Sequence, residues 1–366
     1  MSPRIVIIGA GVGGAAILEA LTRAGIGQTT LFEKECASAG ATGLSGGLVR
    51  VYHTDPFLSD LAAESVPGLR LLDRALSSST GYVQAGSLYL EADHRVPRMR
   101  DEVERLRGRC DGPHGGWPLR VLLPDEGMAR FPAFEWAGVG AAVYEERAGY
   151  ASPRQTTKAL LSLATSRGAV VVEETPVLEI QTRWGRVAGV RLASSSFAAE
   201  PFAADIVVVA AGAWSRDLLT GLGPAAPLRT KRIQYNFFQV SGAPRHPPFI
   251  DDTTGVYGRP HEPGRSLIGM ALDEWDVSLG PTAINPLTSV AIHDAAIRRA
   301  PWLRGARAAG GVSGFDAYTP DGHALLGFDD QIEGLFLATG CSGGGFKMAL
   351  GIGQRVAATL TAYVGA

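Results

Sequence analysis

The stretch RIVIIGAGVGGAAILEALTRAGIGQTTLFEKE at residues 4–35 decides the fold. It combines a short apolar strand, a glycine-rich turn, a helical apolar pattern and a second strand. Gly9 permits the tight turn from strand to helix, Gly11 lets a pyrophosphate approach the backbone, and Gly14 allows the helix to pack closely on the strand. The pattern predicts a dinucleotide-binding unit in which the N-terminus of the helix faces the phosphates.

Glu33 supplies the acid that such a site requires. It follows the second strand, about 20 residues beyond the glycines, where its carboxylate accepts hydrogen bonds from an adenosine ribose. A carboxylate at this position repels a 2′-phosphate, so NADP is disfavoured. NAD and FAD share the fingerprint, and the rest of the chain has to decide between them.

The composition predicts a globular protein of two lobes. The chain has 366 residues and a formal net charge of -2. Single hydrophobic cores stop growing near about 250–300 residues, so we expect a second lobe. No long run of charges of one sign occurs, and we therefore predict neither a nucleic-acid partner nor an anionic membrane partner.

The N-terminal stretch and the cysteines predict a cytoplasmic protein. Glycines interrupt the first apolar stretch, and no window reaches about 18 apolar residues, so we expect neither a secretory signal nor a transmembrane helix. Cys36, Cys110 and Cys341 are odd in number, widely spaced and without a CxxC pair. This favours a reducing compartment and no metal site.

Two later segments repeat the pattern of an apolar strand followed by small residues and a helix. They are DIVVVAAGAWS at 205–215 and GLFLATGCSGGGFKMALGIGQ at 334–354. Ligands of open α/β sheets lie at the carboxyl ends of the strands. We therefore expect all three units to converge on one cofactor.

The segments between these units predict a second, antiparallel sheet. Residues 82–92 and the aromatic-rich stretch 230–275 have strand character, and residues 98–109 predict a charged amphipathic helix. The predicted cofactor lobe is therefore discontinuous. Its predicted ranges are 1–84, 148–227 and 318–366, and those of the substrate lobe are 85–147 and 228–317.

Five segments in order resemble one family over nearly the whole chain. They are GAGVGG with Glu33, ATGLSGGLVR at 41–50, VVVAAGAWS at 207–215, YTPDGHALLG at 318–327 and ATGCSGGGFK at 338–347. Together they resemble the D-amino acid oxidase superfamily of FAD proteins, and most closely its sarcosine oxidase-like branch.

The resemblance implies both a fold and an activity. The implied fold is α/β, with a glutathione-reductase-like (Rossmann) FAD-binding lobe and a mixed, mostly antiparallel β-sheet substrate lobe with helices. The implied activity is oxidation of a C–N bond of an amino acid or related amine to an imine, by hydride transfer to flavin N5. O2 is the expected acceptor, giving H2O2, and a role in biosynthetic tailoring fits this activity.

By the resemblance, residues of all three units contact FAD. The glycines at 343–345 open a helix whose N–H groups are expected to face flavin N1 and O2. The residues expected to bind the cofactor are Gly9, Gly11, Gly14, Glu33, Lys34, Thr42, Ser45, Gly46, Arg50, Val177, Ala211, Gly212, Trp214, Gly343, Gly344, Gly345, Phe346 and Lys347.

Four residues are expected to act on the substrate: Lys347, Arg50, His53 and Tyr257. Lys347 lies where sarcosine oxidase-like enzymes place a lysine that pairs with the substrate carboxylate, a charge-assisted hydrogen bond. His53 lies near the position of the family's second carboxylate-binding arginine. The aromatic and methionine side chains expected to line the pocket are Tyr235, Phe237, Tyr257, Met270, Trp275 and Tyr318.

Two departures from the family pattern affect the flavin. Gly314 stands where related enzymes carry the cysteine that attaches FAD, so we predict noncovalent FAD. Leu267 falls where many oxidases of this branch place an oxygen-activating lysine. The cations considered as replacements are Arg259, His261 and Arg265.

Several alternatives stay open at this point. The missing lysine keeps open an FAD-dependent dehydrogenase of an amine or hydroxy acid that uses an acceptor other than oxygen. An NAD(P)H-dependent flavin hydroxylase is less favoured, because its late GD-containing motif is absent. The intact cofactor motifs and the predicted second lobe disfavour a non-catalytic flavoprotein. An NAD-only dehydrogenase would leave the C-terminal flavin motif without a role. The oligomeric state is expected to be monomer or homodimer.

Overall fold

The architecture is that of a computed structural model, which describes residues 2–77, 79–110, 117–193, 201–223 and 226–365. Its helices are α1 (Val12–Ala24), α2 (Pro56–Ala75), α3 (Val96–Cys110), α4 (Pro124–Arg130), α5 (Pro153–Ser166), α6 (Ser215–Leu219), α7 (Pro286–Arg299) and α8 (Gly345–Gly365). Its strands are β1 (Arg4–Ile8), β2 (Gln28–Phe32), β3 (Leu48–Val49), β4 (Val83–Gln84), β5 (Ser87–Glu91), β6 (Leu119–Leu122), β7 (Ala141–Glu145), β8 (Gly149–Tyr150), β9 (Val170–Val172), β10 (Val177–Arg183), β11 (Arg186–Leu192), β12 (Phe202–Ala203), β13 (Ile206–Val209), β14 (Arg229–Gln239), β15 (Phe249–Asp251), β16 (Val256–Glu262), β17 (Arg265–Met270), β18 (Arg307–Tyr318), β19 (Leu325–Phe328) and β20 (Leu335–Thr339).

The first large sheet has six strands in the order β19-β20-β13-β1-β2-β9. Its strands pair in parallel except for β19, which is antiparallel at one edge. Successive side chains of a strand point to opposite faces. Ile5 and Ile7 of β1 pack into a core with α1, α5 and α8, whereas Val6 and Ile8 pack against the sheet β10-β11-β12. The predicted buried parallel strand at the N-terminus is confirmed.

Helices α1 and α8 lie close together because small residues separate them. A Cβ atom on Gly353 would lie 2.5 Å from the carbonyl oxygen of Ala16. This contact seats α8 against the helix that follows the first glycine turn.

The second large sheet has eight strands in the order β18-β14-β17-β16-β15-β5-β7-β6. All its pairs are antiparallel except β15 with β5. Helix α7 packs on it, and its Arg299 forms a buried ion pair of 2.7 Å with Asp251. The predicted strands within 230–275, the predicted helix at 98–109 and the predicted α/β class with a mostly antiparallel second sheet are confirmed.

A small sheet of β3, β8 and β4 lies where the chain passes between the large sheets. The predicted boundaries at 84/85 and 147/148 fall beside β4 and β8. The division of the chain into the two predicted lobes stays a prediction.

Candidate active site

The turn from β1 to α1 forms a cradle of bare backbone. Gly9 has a φ of 105°, and a Cβ atom there would lie 2.8 Å from the carbonyl oxygen of Ala210. A Cβ atom on Gly14 would lie 2.0 Å from the carbonyl oxygen of Gly9. Each position therefore requires glycine. The N–H of Val12, at the start of α1, donates to Thr42 Oγ1 at 3.0 Å, which joins the predicted segment at 41–50 to the cradle.

Backbone N–H groups hold Glu33 at the end of β2. Its Oε2 accepts from Ala10 at 2.7 Å and its Oε1 accepts from Glu35 at 3.0 Å. The neighbouring Lys34 places Nζ 3.8 Å from the centre of the Trp214 ring, a cation–π contact. Glu33, Lys34 and Trp214 all border the same cavity.

This cavity has a volume of about 370 Å³. Its walls come from the three predicted units of strand, small residues and helix, and from β18, the strand that precedes the TPDG motif at 319–322. The predicted cofactor residues that line it are Gly9, Gly11, Glu33, Lys34, Thr42, Ser45, Val177, Ala211, Gly212, Trp214, Gly343, Gly345 and Phe346. The predicted residues outside its lining are Gly14, Gly46, Gly344, Arg50 and Lys347, together with His53 and Tyr257.

Three of those positions are adjacent to the lining. Gly14 supports the turn from behind, as its contact with Gly9 shows. The carbonyl oxygen of Gly46 accepts a hydrogen bond of 2.6 Å from Arg259 Nε. Gly344 faces Met348, whose Cε would lie 2.7 Å from a Cβ atom at that position.

A buried carboxylate shapes the segment that follows β3. Glu145, on β7, accepts hydrogen bonds from the N–H groups of Val51 at 2.8 Å and Tyr52 at 2.9 Å, and from Trp117 Nε1 at 2.6 Å. The guanidinium of Arg50 donates to the carbonyl of Tyr52 and lies 4.9 Å from the centre of the Tyr89 ring. Burial lowers the pKa of Arg50. Sequence reasoning missed Glu145, because its partners lie far away along the chain.

His53 is a buried, neutral base. Its Nδ1 lies 2.9 Å from the carbonyl oxygen of Val51, and we assign the ring proton to Nδ1 because a carbonyl only accepts. Nε2 has no hydrogen-bond partner among the described residues. Burial, followed by the charges of Arg50 and Lys347, lowers the pKa of His53 well below its usual value.

Lys347 lies on the first turn of α8 and is only 9 % exposed. Within the described ranges no hydrogen bond and no ion pair holds its ammonium group. Burial, and next the charge of Arg50, lowers the pKa of Lys347 to about 7, while Asp316 and Cys341 act in the opposite direction. A buried cation without a partner is costly unless an anion joins it.

Asp316 is a site residue that sequence reasoning missed. It lies on β18, lines the cavity, and accepts hydrogen bonds from the N–H groups of Ala317 at 2.8 Å and Gly343 at 3.1 Å. Burial raises the pKa of Asp316, against the effect of these bonds and of the charge of Lys347. A carboxylate inside the otherwise uncharged strand GVSGFDAY was the available signal.

Tyr257 lies on the second sheet rather than in the lining of the cavity. Its ring covers Gly269, where a Cβ atom would lie 2.4 Å from Tyr257 Oη. Burial raises the pKa of Tyr257, and the charges of Tyr235 and Tyr318 add to this effect, so the three phenols lie near one another. The other predicted pocket aromatics contact neighbouring rings, with Trp275 5.5 Å from Tyr318 and Phe237 4.3 Å from His261, measured between ring centres.

The position expected for an oxygen-activating lysine is occupied by a buried leucine. Leu267 is fully buried, and its Cδ2 would lie 3.8 Å from a Cβ atom on Gly46. Arg259 contacts Gly46, as described above, and packs 4.6 Å from the centre of the Tyr150 ring. Arg265 instead pairs with Glu262 at 3.0 Å on the surface.

The glycine cradle, the acid after β2 and the shared cavity define a dinucleotide-cofactor oxidoreductase. Residues 4–359 of the chain match the model of the DAO family, which is described as FAD dependent oxidoreductase. The chain belongs to this family, and its cofactor is FAD.

Characterised relatives are 27–28% identical to the chain over the aligned residues. The 4-methylaminobutanoate oxidase (formaldehyde-forming) of Paenarthrobacter nicotinovorans is 28% identical over 367 residues, which are 97% of this chain and 43% of that protein. The mitochondrial sarcosine dehydrogenase of Homo sapiens is 27% identical over 96% of this chain and 39% of its own length. The chain thus spans about two fifths of these two relatives. The glycine oxidase of Pseudomonas aeruginosa is 27% identical over 95% of this chain and 92% of its own.

Solved structures share the fold. The L-proline dehydrogenase from P. horikoshii superposes with a TM-score of 0.86 at 23% identity, covering 99% of this chain and 94% of that one. The predicted fold class, a Rossmann FAD-binding lobe with a mixed-sheet second lobe, is confirmed. None of the helices described here is long and apolar enough to span a membrane. In the same ranges, no group of three or more His, Cys, Asp or Glu side chains is placed to hold a metal ion.

Proposed function

We propose that the protein oxidises a C–N bond of an amino acid or related amine to an imine, with O2 as the final acceptor, giving H2O2. The observation that carries this proposal is Lys347, a buried ammonium beside the cavity at the start of α8, for which the described part of the chain provides no hydrogen-bond or ion-pair partner. A substrate carboxylate would supply the missing anion. The relatives named for oxidases and dehydrogenases of amino acids support this substrate class.

Most of the residues expected to bind FAD line the cavity, which supports it as the FAD site. Glu33 would hold the adenosine ribose, and the turn at Gly9 and Gly11 with the start of α1 would hold the pyrophosphate. The start of α8 would face the flavin ring, where its N–H groups favour the negative charge of the reduced state. When bound, FAD supplies the two-electron acceptor that takes a hydride equivalent at N5.

Noncovalent attachment of FAD is part of the proposal. Gly314 offers no sulfur, and a Cβ atom there would lie 2.5 Å from Leu44 Cδ1, so a leucine fills that space. Burial raises the pKa of Cys341 to about 12, which keeps its side chain a thiol rather than a nucleophilic thiolate.

The final acceptor depends on the groups beside Gly46. Arg259 is the cation that contacts this segment, and we propose that it takes the role of the absent lysine in oxygen reduction. Leu267, buried at the expected lysine position, favours the second candidate function. That candidate is an FAD-dependent dehydrogenase that passes electrons to an acceptor other than oxygen.

Anaerobic reduction of the purified yellow protein tests the function. A panel of primary and secondary amino acids, hydroxy acids and NAD(P)H is added, and the flavin absorbance is followed before and after air is admitted. Bleaching by an amino acid with fast recovery in air supports the oxidase, and slow recovery supports the dehydrogenase. Bleaching by NAD(P)H alone would instead indicate a hydroxylase and overturn the proposal.

A further inference from the structure

A buried lysine on the first turn of α8, Lys347, and a half-buried carboxylate on β18, Asp316, lie near each other without forming an ion pair. The charge of Lys347 lowers the pKa of Asp316, and the charge of Asp316 raises the pKa of Lys347. Their nitrogen and oxygen atoms nevertheless stay farther apart than the 4.0 Å of a salt bridge. A ligand that carries both signs of charge would satisfy the two groups together, whereas a simple anion would satisfy only Lys347.

The carboxylate of Asp316 has hydrogen-bonding capacity left. One oxygen accepts from Ala317 and the other from Gly343, whereas an ionised carboxylate offers about four acceptor sites. Asp316 also borders the cavity. The titratable groups that face it are Lys347, Cys341 and Tyr318. Cys341 and Tyr318 are neutral, because burial raises the pKa of each to about 12.

We propose that Asp316 binds the ammonium group of a zwitterionic amino acid whose carboxylate lies on Lys347, and that it accepts the proton which this ammonium loses before oxidation. In that step one N–H bond of the substrate breaks, its electron pair stays on nitrogen, and the proton bonds to a carboxylate oxygen of Asp316. The inference rests on the proposed function and names its substrate class. Amino acids with a primary or secondary amine fit, whereas hydroxy acids and amines without a carboxylate leave one charge unpaired.

The electrostatics of the site agree with a proton acceptor. Burial raises the pKa of Asp316, and a raised pKa makes a carboxylate a stronger base. The hydrogen bond from Gly343 also allows Asp316 to stabilise the turn before α8. Asparagine retains an oxygen that accepts this bond but removes the charge, so the variant Asp316→Asn separates the two roles.

The experiment compares ligands that differ only in the amine. The holoenzyme is prepared as the wild type, as Asp316→Asn and as Asp330→Asn, an exposed position that serves as the control. Under anaerobic conditions, flavin difference spectra measure the affinity for acetate and cyclopentanecarboxylate. The concentration dependence of flavin reduction measures the affinity for glycine and L-proline, their counterparts with an amine.

We expect Asp316→Asn to weaken amino-acid binding by a factor on the order of ten to a hundred, as for the loss of a charged hydrogen bond. Removing the charge of Asp316 also lowers the pKa of Lys347, so the ligands are compared at about pH 6, where the ammonium form is favoured. At that pH the affinity for the two carboxylates should stay within about threefold or increase, because Lys347 no longer has a competing anion. Equal weakening for both kinds of ligand, or none for the amino acids, would overturn the assignment. A wild type that no amino acid reduces would overturn the proposed function itself.

A measurement on the wild type covers the case in which Asp316→Asn does not retain FAD. Protonation of Asp316 removes the acceptor for the ammonium group. The preference for L-proline over cyclopentanecarboxylate, corrected for the ionisation of the ligands, should therefore fall as the pH is lowered through the pKa of Asp316, which burial raises above that of an ordinary carboxyl group. A preference that stays constant down to the lowest pH at which the holoenzyme retains FAD would overturn the assignment.

Discussion

At the scale of single residues, we predict that the charge of Lys347 controls whether the proposed site binds an anion. Its pKa is lowered to about 7, first by burial and then by Arg50. The ammonium is the form that binds a carboxylate, so raising the pH removes the binding form. The affinity for acetate should be constant below about pH 7 and fall about tenfold for each pH unit above it.

Flavin difference spectra between about pH 6 and 9 measure this dependence. The matched variant Lys347→Arg keeps its charge over the whole range, so its affinity for acetate should not fall with rising pH. Lys347→Met should bind acetate weakly at every pH and still retain FAD. The same pH profile in the wild type and in Lys347→Arg would show that another group titrates.

Glu145 positions the segment that carries Arg50. A glutamine at position 145 has one side-chain oxygen that can accept hydrogen bonds, but an NH2 group replaces the other oxygen. At least one of the three donors, the N–H groups of Val51, Tyr52 and Trp117, therefore loses its acceptor. We expect Glu145→Gln to lower the free energy of unfolding by about 1–3 kcal/mol. Urea unfolding measures the change. The control Glu146→Gln makes the same change at the exposed neighbouring position and should leave the stability unchanged. Equal stability of Glu145→Gln and the wild type would contradict the prediction.

At the scale of elements, the close approach of β1 and α1 depends on one glycine. A Cβ atom on Gly14 would lie 2.0 Å from the carbonyl oxygen of Gly9, whereas one on Gly13 would meet nothing within 4 Å. Gly14→Ala should therefore lower the free energy of unfolding by about 1–3 kcal/mol and weaken FAD binding. Gly13→Ala, in the same helix, should stabilise the apoprotein by about 0.5–1 kcal/mol.

Urea unfolding of both apoproteins, with FAD titrations followed by flavin fluorescence, separates packing from cofactor contact. A Gly14→Ala variant as stable as Gly13→Ala would mean that the turn relaxes around the added methyl group.

The type and position of β1 and α1 could be predicted from the sequence, because residues close together in the chain determine both elements. Residues 82–92 were predicted only as strands, because the pairing of β5 with β15 and β7 joins distant segments.

At the scale of the whole molecule, FAD should be bound without a covalent bond and should stabilise the folded state. Acid denaturation should release all of the flavin into the supernatant. Because only the folded protein forms the cavity, added FAD at about 100 times its Kd should stabilise the protein by about 2.7 kcal/mol and raise Tm. Flavin that stays with the precipitated protein would contradict this prediction.

Local spacing in the sequence determined the dinucleotide cradle, Glu33 and the family. Glycine positions, a strand and a helix within one short stretch specify a backbone conformation without reference to the rest of the chain. The same reasoning pointed to Lys347 through its motif, although its pKa is lowered first by burial and then by the charge of Arg50, from a distant segment.

Only the tertiary structure decided which charged groups lie together. Asp316 lies near Lys347 because β18 and the first residues of α8 border the same cavity. Glu145 accepts a hydrogen bond from Val51 because β7 lies next to the segment that follows β3. Electrostatic energy depends on distance in space and on burial, and neither is encoded in the local pattern of residues. The glycine turn and the acid that border the cavity could thus be predicted from the sequence, whereas the arrangement of charges around the proposed substrate site required the folded chain.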